Sequence, residues 1–293
     1  MKITYPLSDL APYINWLYFF FAWQVKEQAE KDRLRKEAEA LLTELEGRYH
    51  AYGIFELFDA YSDGDDIVIL RGNGQEPVVS RIPCLRQQQG NPPYLCLSDF
   101  LAPYSNHKVQ SSKFKVQSSK FKAQSSKFKV QSSKLALFAT SVDIGLETDF
   151  DADPYQKMMA QLLADRLAEA AAEKMHEQVR KEYWGYAKDE HLTIPEMLVE
   201  KFQGIRPAVG YPSLPDTSLN FLIDEIIGMH QIGIHLTESG AMKPHASVSG
   251  LMLAHPQARY FSIGKIGEDQ LLDYAHRRGL PLELCRKFLA ANL

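Results

Sequence analysis

The sequence predicts an α+β fold with a largely antiparallel sheet. The predicted helices and strands do not alternate regularly along the chain, which argues against a doubly wound parallel sheet. The 293 residues are 45% hydrophobic and 24% charged, a composition typical of globular proteins that bury a substantial core. No linker-like stretch divides the chain. We therefore expect one domain over residues 1–293.

Helices are expected to precede strands in the amino-terminal half. The aromatic-rich residues 10–23 predict a buried helix, since the stretch is too short and too interrupted for a membrane span or a signal peptide. Residues 24–49 are rich in Ala, Leu, Glu, Lys and Arg and predict a second helix. Strands are expected over residues 53–60 and 66–70, paired around a turn, and over 78–83 and 135–142.

The carboxy-terminal half is expected to be richer in helices. Apolar residues at helical spacing predict a long helix over 153–183. Thr193 and Pro195 are typical of an N-cap and a first helical turn, so a short helix should follow. Three prolines and a glycine indicate a loop over 205–215. The remaining predictions are a helix over 217–230, strands over 232–237, 248–254 and 260–263, and two closing helices.

Residues 107–134 are four copies of a seven-residue unit, HKVQSSK, FKVQSSK, FKAQSSK and FKVQSSK. Their apolar positions, 1 and 3, do not fit a coiled coil, which needs positions 1 and 4. The repeat holds eight of the 33 basic residues and none of the 37 acidic ones, so the rest of the chain is acidic. Either the repeat is a polyanion-binding arm, or it is a tandem expansion tolerated in a surface loop. We expect the second.

Familiar catalytic and metal-binding motifs are missing from the sequence. It contains no Walker loop, no GxSxG elbow and no HExxH, and its histidines lack metal-ligand spacing. Cys84, Cys96 and Cys285 form no CxxC pair, so a zinc site or a disulfide framework is not expected. Asp165 and Glu169 lie four residues apart on a predicted helix, where a solvated acidic face is the usual explanation. A reducing, cytoplasmic setting is expected.

The carboxy-terminal third, in contrast, carries specific motifs. They are RPAVGYP at 206–212, LTES at 236–239, AM at 241–242, ASVSG at 246–250, HP at 255–256 and YF at 260–261. With these motifs the chain resembles the S-adenosylmethionine-binding activation domain of cobalamin-dependent methionine synthase. The resemblance extends upstream through ADRLAEA at 164–170, YWGYA at 183–187, LRQQ at 85–88, GDDI at 64–67 and INW at 14–16. It covers nearly the whole chain except the repeat.

The resemblance implies a single bent α+β domain with a twisted antiparallel sheet and flanking helices. In this family the domain presents S-adenosylmethionine to the cobalamin of methionine synthase, flavodoxin or a similar reductase supplies an electron, and methylcobalamin is restored. The implied cofactors are S-adenosylmethionine, bound by this chain, and cobalamin, carried by the partner. The cofactors supply the chemistry, so no catalytic residue and no metal ligand is expected here.

A set of ligand-contacting residues is also implied by the resemblance. Arg206 matches the family's ligand arginine, whose planar guanidinium would pair with the ligand carboxylate. Asn15 stands where the family usually has an aspartate, so an anionic partner for the ligand ammonium is missing. The other implied positions are Ala208 and Gly210 for close backbone approach, Tyr211 facing the corrin, Tyr260 and Phe261 against adenosine, and Glu169 and Glu200 as acids near the cleft.

The expected function follows from what the chain matches and what it lacks. Because it has no DxHxxG corrinoid motif and no cysteine-rich zinc site, it is not expected to be a complete methionine synthase. The domain begins directly after Met1, so we expect a stand-alone reactivation component acting in trans, with neither nucleic acid nor membrane as a partner. Two alternatives stay open: a non-catalytic docking module with weak ligand binding, and a reactivator of another corrinoid protein.

Overall fold

An antiparallel sheet with helices packed on both faces forms the centre of the protein in a computed structural model, which describes residues 1–71, 78–103 and 134–293. The strands are β1 (Lys2–Pro6), β2 (His50–Asp63), β3 (Asp66–Arg71), β4 (Val78–Pro83), β5 (Lys134–Val142), β6 (His235–Leu236), β7 (Met242–Lys243) and β8 (Ser247–Met252). The helices are α1 (Leu7–Leu10), α2 (Trp16–Ala22), α3 (Gln28–Leu45), α4 (Gly145–Thr148), α5 (Pro154–Gln178), α6 (Ile194–Leu198), α7 (Leu219–Ile227), α8 (Glu268–Arg278) and α9 (Leu282–Phe288).

The main sheet has the strand order β4-β3-β2-β5-β8. The long strand β2 also pairs through its first residues with β1 and through its last residues with β3, and every pairing is antiparallel. Between β2 and β3, the pair Asp63 and Asp66 closes a tight turn in which Gly64 takes a φ of +61°. The predicted α+β class with an antiparallel, curled sheet is therefore confirmed.

Strand β5 is an inner strand of the sheet, between β2 and β8, and is buried on both faces. Ala136 and Phe138 pack on the side of α5, whereas Leu135, Leu137 and Ala139 pack on the side of α7. Because both faces are covered, the strand has a nearly continuous apolar sequence rather than an alternating one. This arrangement places α5 against β2, β5 and β8, where its polar side can border a cleft.

Several predicted elements agree with the structure within a few residues. The hairpin, the strands over 78–83 and 135–142, the long helix and the two closing helices are all present. Thr193 forms the predicted N-cap of α6 and shares a capping box with Glu196. Of the repeat at residues 107–134, only Lys134 belongs to the part of the chain that the structure describes. It is the first residue of β5.

Two predictions were wrong. Residues 10–23 do not form one buried helix, because a 3-10 turn over Ala11–Tyr13 follows α1 and Asn15 caps a separate helix α2, whose Leu17 and Phe21 are exposed. The segment 260–263 is not a strand: it has no ladder partner among the described residues, and the Ile263 N–H donates to the Pro212 carbonyl of a loop at 2.9 Å. The strand expected over 232–237 is reduced to the two residues of β6. No helix in the described ranges is long and apolar enough to cross a bilayer.

Candidate functional site

A cleft of about 690 Å³ opens beside α5. It is bordered by α5, by the residues that lead into α2, by the end of α6, and by the segments 206–213 and 260–262. Five elements that are distant in sequence therefore meet at one place. Of the nine predicted site residues, eight line this cleft: Asn15, Glu169, Glu200, Arg206, Ala208, Tyr211, Tyr260 and Phe261.

The segment that carries Arg206 is held along the free edge of β8. The Val209 N–H donates to the Ser249 carbonyl at 2.9 Å, and the Leu251 N–H donates to the Pro207 carbonyl at 3.0 Å. A Cβ at Gly250 would lie 2.2 Å from the Pro207 carbonyl oxygen, so only glycine permits this close approach. The motifs ASVSG and RPAVGYP are thus one structural unit that fixes the position of Arg206.

Gly210 is the one predicted site residue that does not line the cleft. It takes a φ of +86°, in a turn closed by the Tyr211 N–H donating to the Ala208 carbonyl at 3.3 Å. Space is not the constraint, because a Cβ at this position would have Thr217 Cγ2 as its nearest neighbour, at an ordinary 3.5 Å. Its role is conformational: the left-handed backbone redirects the chain and brings Tyr211 to the cleft.

Arg206 is the only buried arginine among the described residues that line the cleft. Its Nη2 donates to the Glu173 carboxylate, and its backbone N–H donates to the Tyr260 hydroxyl at 2.9 Å. Burial opposes the charge of Arg206, but the interactions with Glu173, Tyr260 and Glu169 together outweigh it and raise the pKa of the guanidinium. The Nε atom has no hydrogen-bond partner in the described part of the chain. The guanidinium is therefore charged and keeps an unused donor.

Two of the predicted acids differ in what surrounds them. Glu169 accepts a hydrogen bond from the Tyr211 hydroxyl at 2.5 Å, and burial together with this carboxylate raises the pKa of Tyr211. The pKa of Glu200 is raised by burial and by the neighbouring Glu173, although Arg206 lowers it in part. The ionised form of Glu200 is therefore destabilised, and a cation bound in the cleft would stabilise it.

The backbone at Glu200 is unusual as well. Its φ is +61°, and among the described residues only Gln24 is another non-glycine with a positive φ. The Glu200 N–H donates to the Met197 carbonyl at 2.9 Å and the Lys201 N–H to the Glu196 carbonyl at 3.1 Å, which is the Schellman pattern that ends α6. Glycine is the usual residue at this position. Glu200 therefore takes a left-handed backbone conformation that is strained for a residue other than glycine.

Comparison with known proteins identifies the family. The family model for the activation domain of vitamin B12-dependent methionine synthase matches residues 6–279. The chain belongs to this family. The crystal structure of the MetH reactivation domain bound to AdoHcy is similar to this chain, with a TM-score of 0.86 and 34% sequence identity, and the match covers 100% of this chain and 90% of that chain. The resemblance stated from the motifs is confirmed.

This activation domain has cleft residues that the sequence did not single out. Glu173 binds Arg206, and Tyr13 and Arg166 also line the cleft. A helical signal for two of them was present, because Arg166, Glu169 and Glu173 lie at intervals of three and four along α5 and so share one face. No comparable signal existed for Tyr13, whose hydroxyl donates to Glu177 at 2.5 Å.

The charges of the activation-domain cleft nearly balance. Its lining holds the cations Arg166 and Arg206 and the anions Glu169, Glu173 and Glu200, which gives one excess negative charge. Such a site suits a ligand that carries both signs and one excess positive charge. Among residues 1–71, 78–103 and 134–293, no group of three or more His, Cys, Asp or Glu side chains is arranged to hold a metal ion.

Proposed function

We propose that the cleft binds S-adenosylmethionine and that the chain presents its methyl group to the cobalamin of a separate methionine synthase. Family membership supports this role, and so does the similar reactivation domain, which is bound to AdoHcy. AdoHcy is what remains of S-adenosylmethionine after the methyl group has left. The proposed role of the chain is therefore reactivation in methionine biosynthesis.

The observation that carries the proposal is the buried, charged Arg206 in the cleft lining, whose Nε has no partner among the described residues. A ligand carboxylate would accept charge-assisted hydrogen bonds from this guanidinium. S-adenosylmethionine offers one carboxylate, one ammonium and one sulfonium, so it has one excess positive charge. The five charged side chains of the lining have one excess negative charge. Glu169, Glu173 and Glu200 would face the two cationic groups.

The two ends of the ligand would be held by different residues. Tyr260 and Phe261 belong to the lining, and their rings offer apolar surface for adenosine, as the family resemblance implies. Asn15 lies in the same lining and would accept a hydrogen bond from the ammonium. Ala208 adds no more than a methyl group, so the backbone of this segment can approach the ligand closely.

Presentation requires that the bound methyl group can be reached from outside. Tyr211 is 51% exposed where it borders the cleft, so this side chain would face the incoming corrin. The cobalamin would be held by the partner and would supply the redox and methyl-transfer chemistry, with flavodoxin or a similar reductase as the electron donor. The chain's own contribution would be binding and orientation. The sequence holds no DxHxxG motif, so we assign cobalamin to the partner. We place the proposed reaction in the cytoplasm, as the family resemblance implies.

Methylation of the partner's cobalamin tests this proposal. The purified chain is mixed with S-adenosylmethionine, a low-potential reductant and a cobalamin-loaded methionine synthase lacking its own activation domain, and methylcobalamin is followed by absorbance. We expect a rate that rises with the concentration of the chain. An equal rate without the chain would contradict the proposal. Methylation of only a different corrinoid protein would favour the second alternative, and partner binding without ligand binding would favour the docking module.

A further inference from the structure

Helix α2 has no polar face. Its sequence is WLYFFFA, and such a helix is normally enclosed on all sides. Here only Phe19 is fully buried, whereas Leu17, Tyr18 and Phe21 are 69%, 58% and 80% exposed. Isolated apolar residues on a surface need no explanation, but three large neighbouring ones on a single helix indicate a contact surface.

These three side chains, which we name the α2 patch, adjoin a cation. The Arg166 guanidinium lies 6.0 Å from the centre of the Tyr18 ring. From the exposed fractions, the patch presents on the order of 400 Å² of mostly apolar area, which is the size of the largest patch on a typical monomer. Aromatic rings together with arginine are the composition enriched at the centres of protein interfaces.

The α2 patch is continuous with the cleft, because Tyr18 belongs to both and Arg166, which lines the cleft, adjoins the Tyr18 ring. On another side of the cleft, Val199 precedes Glu200 and is 65% exposed. Any protein that brings its cofactor over the cleft must therefore also approach these side chains. We propose that the α2 patch is the docking surface for the cobalamin-carrying partner, an inference that rests on the proposed function.

The partner's surface can be specified by chemistry. It would offer apolar side chains to Leu17 and Phe21, which are the most exposed members of the patch. It would place a carboxylate near Arg166, which makes no ion pair within the described ranges. An interface of this kind excludes water around the cleft, and that strengthens the electrostatic interactions inside it.

The sequence offers another occupant, since the repeat contains phenylalanines. The described residues that flank it are attached away from the patch. Pro103 bridges to Ser62 and Lys134 pairs with Asp59, so both attach at the end of β2 that leads into β3. The residues that lead into α2 attach at the opposite end of β2, where Pro6 pairs with His50. At about 3.4 Å per residue, the nine residues of β5 separate the two ends by roughly 27 Å.

A double substitution, Leu17→Gln with Phe21→Gln, tests the inference. Both positions are exposed, so the fold should be retained, as thermal melting would verify. The matched control is Phe221→Gln with Leu272→Gln, which replaces the same two residue types at exposed positions outside the patch. For each protein, the S-adenosylmethionine dissociation constant is measured, together with the concentration of cobalamin-loaded methionine synthase that half-saturates the methylation rate.

We expect the patch variant to bind S-adenosylmethionine within twofold of the wild type but to need at least tenfold more partner for half-saturation. The control should match the wild type in both. An unchanged partner requirement in the patch variant would overturn the docking surface while leaving the proposed function intact. Loss of self-association in sedimentation, with no effect on the partner, would assign the patch to a second copy of the chain. If the patch substitutions change the partner requirement only when residues 107–133 are also deleted, the α2 patch would be assigned to the repeat.

Discussion

The guanidinium of Arg206 and the carboxylate of Glu173 form an ion pair inside the cleft. Glu173 is fixed on α5, and Arg206 is fixed against β8, so the pair joins the two walls of the site. Because Glu173 already orients the guanidinium, the Arg206 side chain would lose less freedom when a ligand carboxylate binds to it. This relationship was absent from the sequence-based site, which named Arg206 without Glu173.

Asn15→Asp should tighten S-adenosylmethionine binding. The Asn15 side chain accepts the Leu17 N–H at 3.2 Å, and aspartate is an equally good cap for a helix. The substitution therefore retains α2 and supplies a negatively charged partner for the ligand ammonium. We expect a gain of about 1 kcal/mol, or roughly fivefold in the dissociation constant. The gain should shrink as salt is raised from about 50 to about 500 mM. An unchanged constant would mean that the ammonium has another partner.

Glu200→Gly should stabilise the fold and weaken the site. Glycine relieves the left-handed strain at φ +61° but adds freedom to the unfolded chain, so we expect the free energy of unfolding to rise by about 0.5–1 kcal/mol. S-adenosylmethionine binding should weaken, because one anion is lost. Gln24→Gly is the matched control, with a φ of +56° outside the cleft. It should raise stability similarly and leave the dissociation constant unchanged. If Glu200→Gly and Gln24→Gly bind S-adenosylmethionine equally well, Glu200 does not contribute to ligand binding.

His176 should make the fold less stable as the pH falls. Burial, together with Arg180 and Arg206, lowers the pKa of this histidine well below its usual 6.5. Below about pH 6.5, His176 takes up a proton in the unfolded chain but not in the folded chain. The free energy of unfolding therefore decreases as the pH falls, until the lowered pKa of the folded state is reached. In His176→Leu, the decrease between about pH 6.5 and 5.5 should be smaller by about 1 kcal/mol. Urea unfolding at each pH measures this decrease. His235→Gln, at an exposed position, is the control and should leave the decrease unchanged.

Deletion of residues 107–133 should leave ligand binding intact. The deletion retains Lys134, which pairs with Asp59 in β2, and the residues on either side of the gap attach to β2 rather than to the cleft. The S-adenosylmethionine dissociation constant should stay within twofold, a difference of about 0.4 kcal/mol. A tenfold loss would show that the repeat contributes to the site, and its interpretation as an expansion tolerated in a surface loop would be wrong.

Most of the fold could be predicted from local patterns. The apolar run of β5, the turn before Asp66 and the capping box at Thr193 are each determined by residues close in sequence. The failures depended on contacts that local patterns do not contain. A helix that is apolar all round, such as α2, does not indicate which of its faces is left uncovered. Residues 260–263 have strand-like composition, but no neighbouring strand is there to pair with them in the described part.

The candidate site shows the same division. Eight residues named by resemblance lie around one cleft, because the motifs that carry them are held together by backbone pairing such as that between Val209 and Ser249. Gly210 is the one of the nine that does not line the cleft, and its positive φ is a property of the folded backbone that local sequence patterns do not show. Glu173 could have been found from its spacing to Glu169, whereas Tyr13 required the tertiary structure.

The central claim is that this cleft binds S-adenosylmethionine through Arg206, and calorimetric titration tests it most directly. The wild-type chain, Arg206→Ala and Arg278→Ala are titrated, the last being an arginine whose buried side chain pairs with Asp216 outside the cleft. We predict saturable one-site binding by the wild type and by Arg278→Ala. Arg206→Ala should lose about 2–5 kcal/mol, roughly 30-fold to several-thousand-fold in affinity. Absence of saturation in the wild type, or equal affinity in a folded Arg206→Ala protein, would contradict the account.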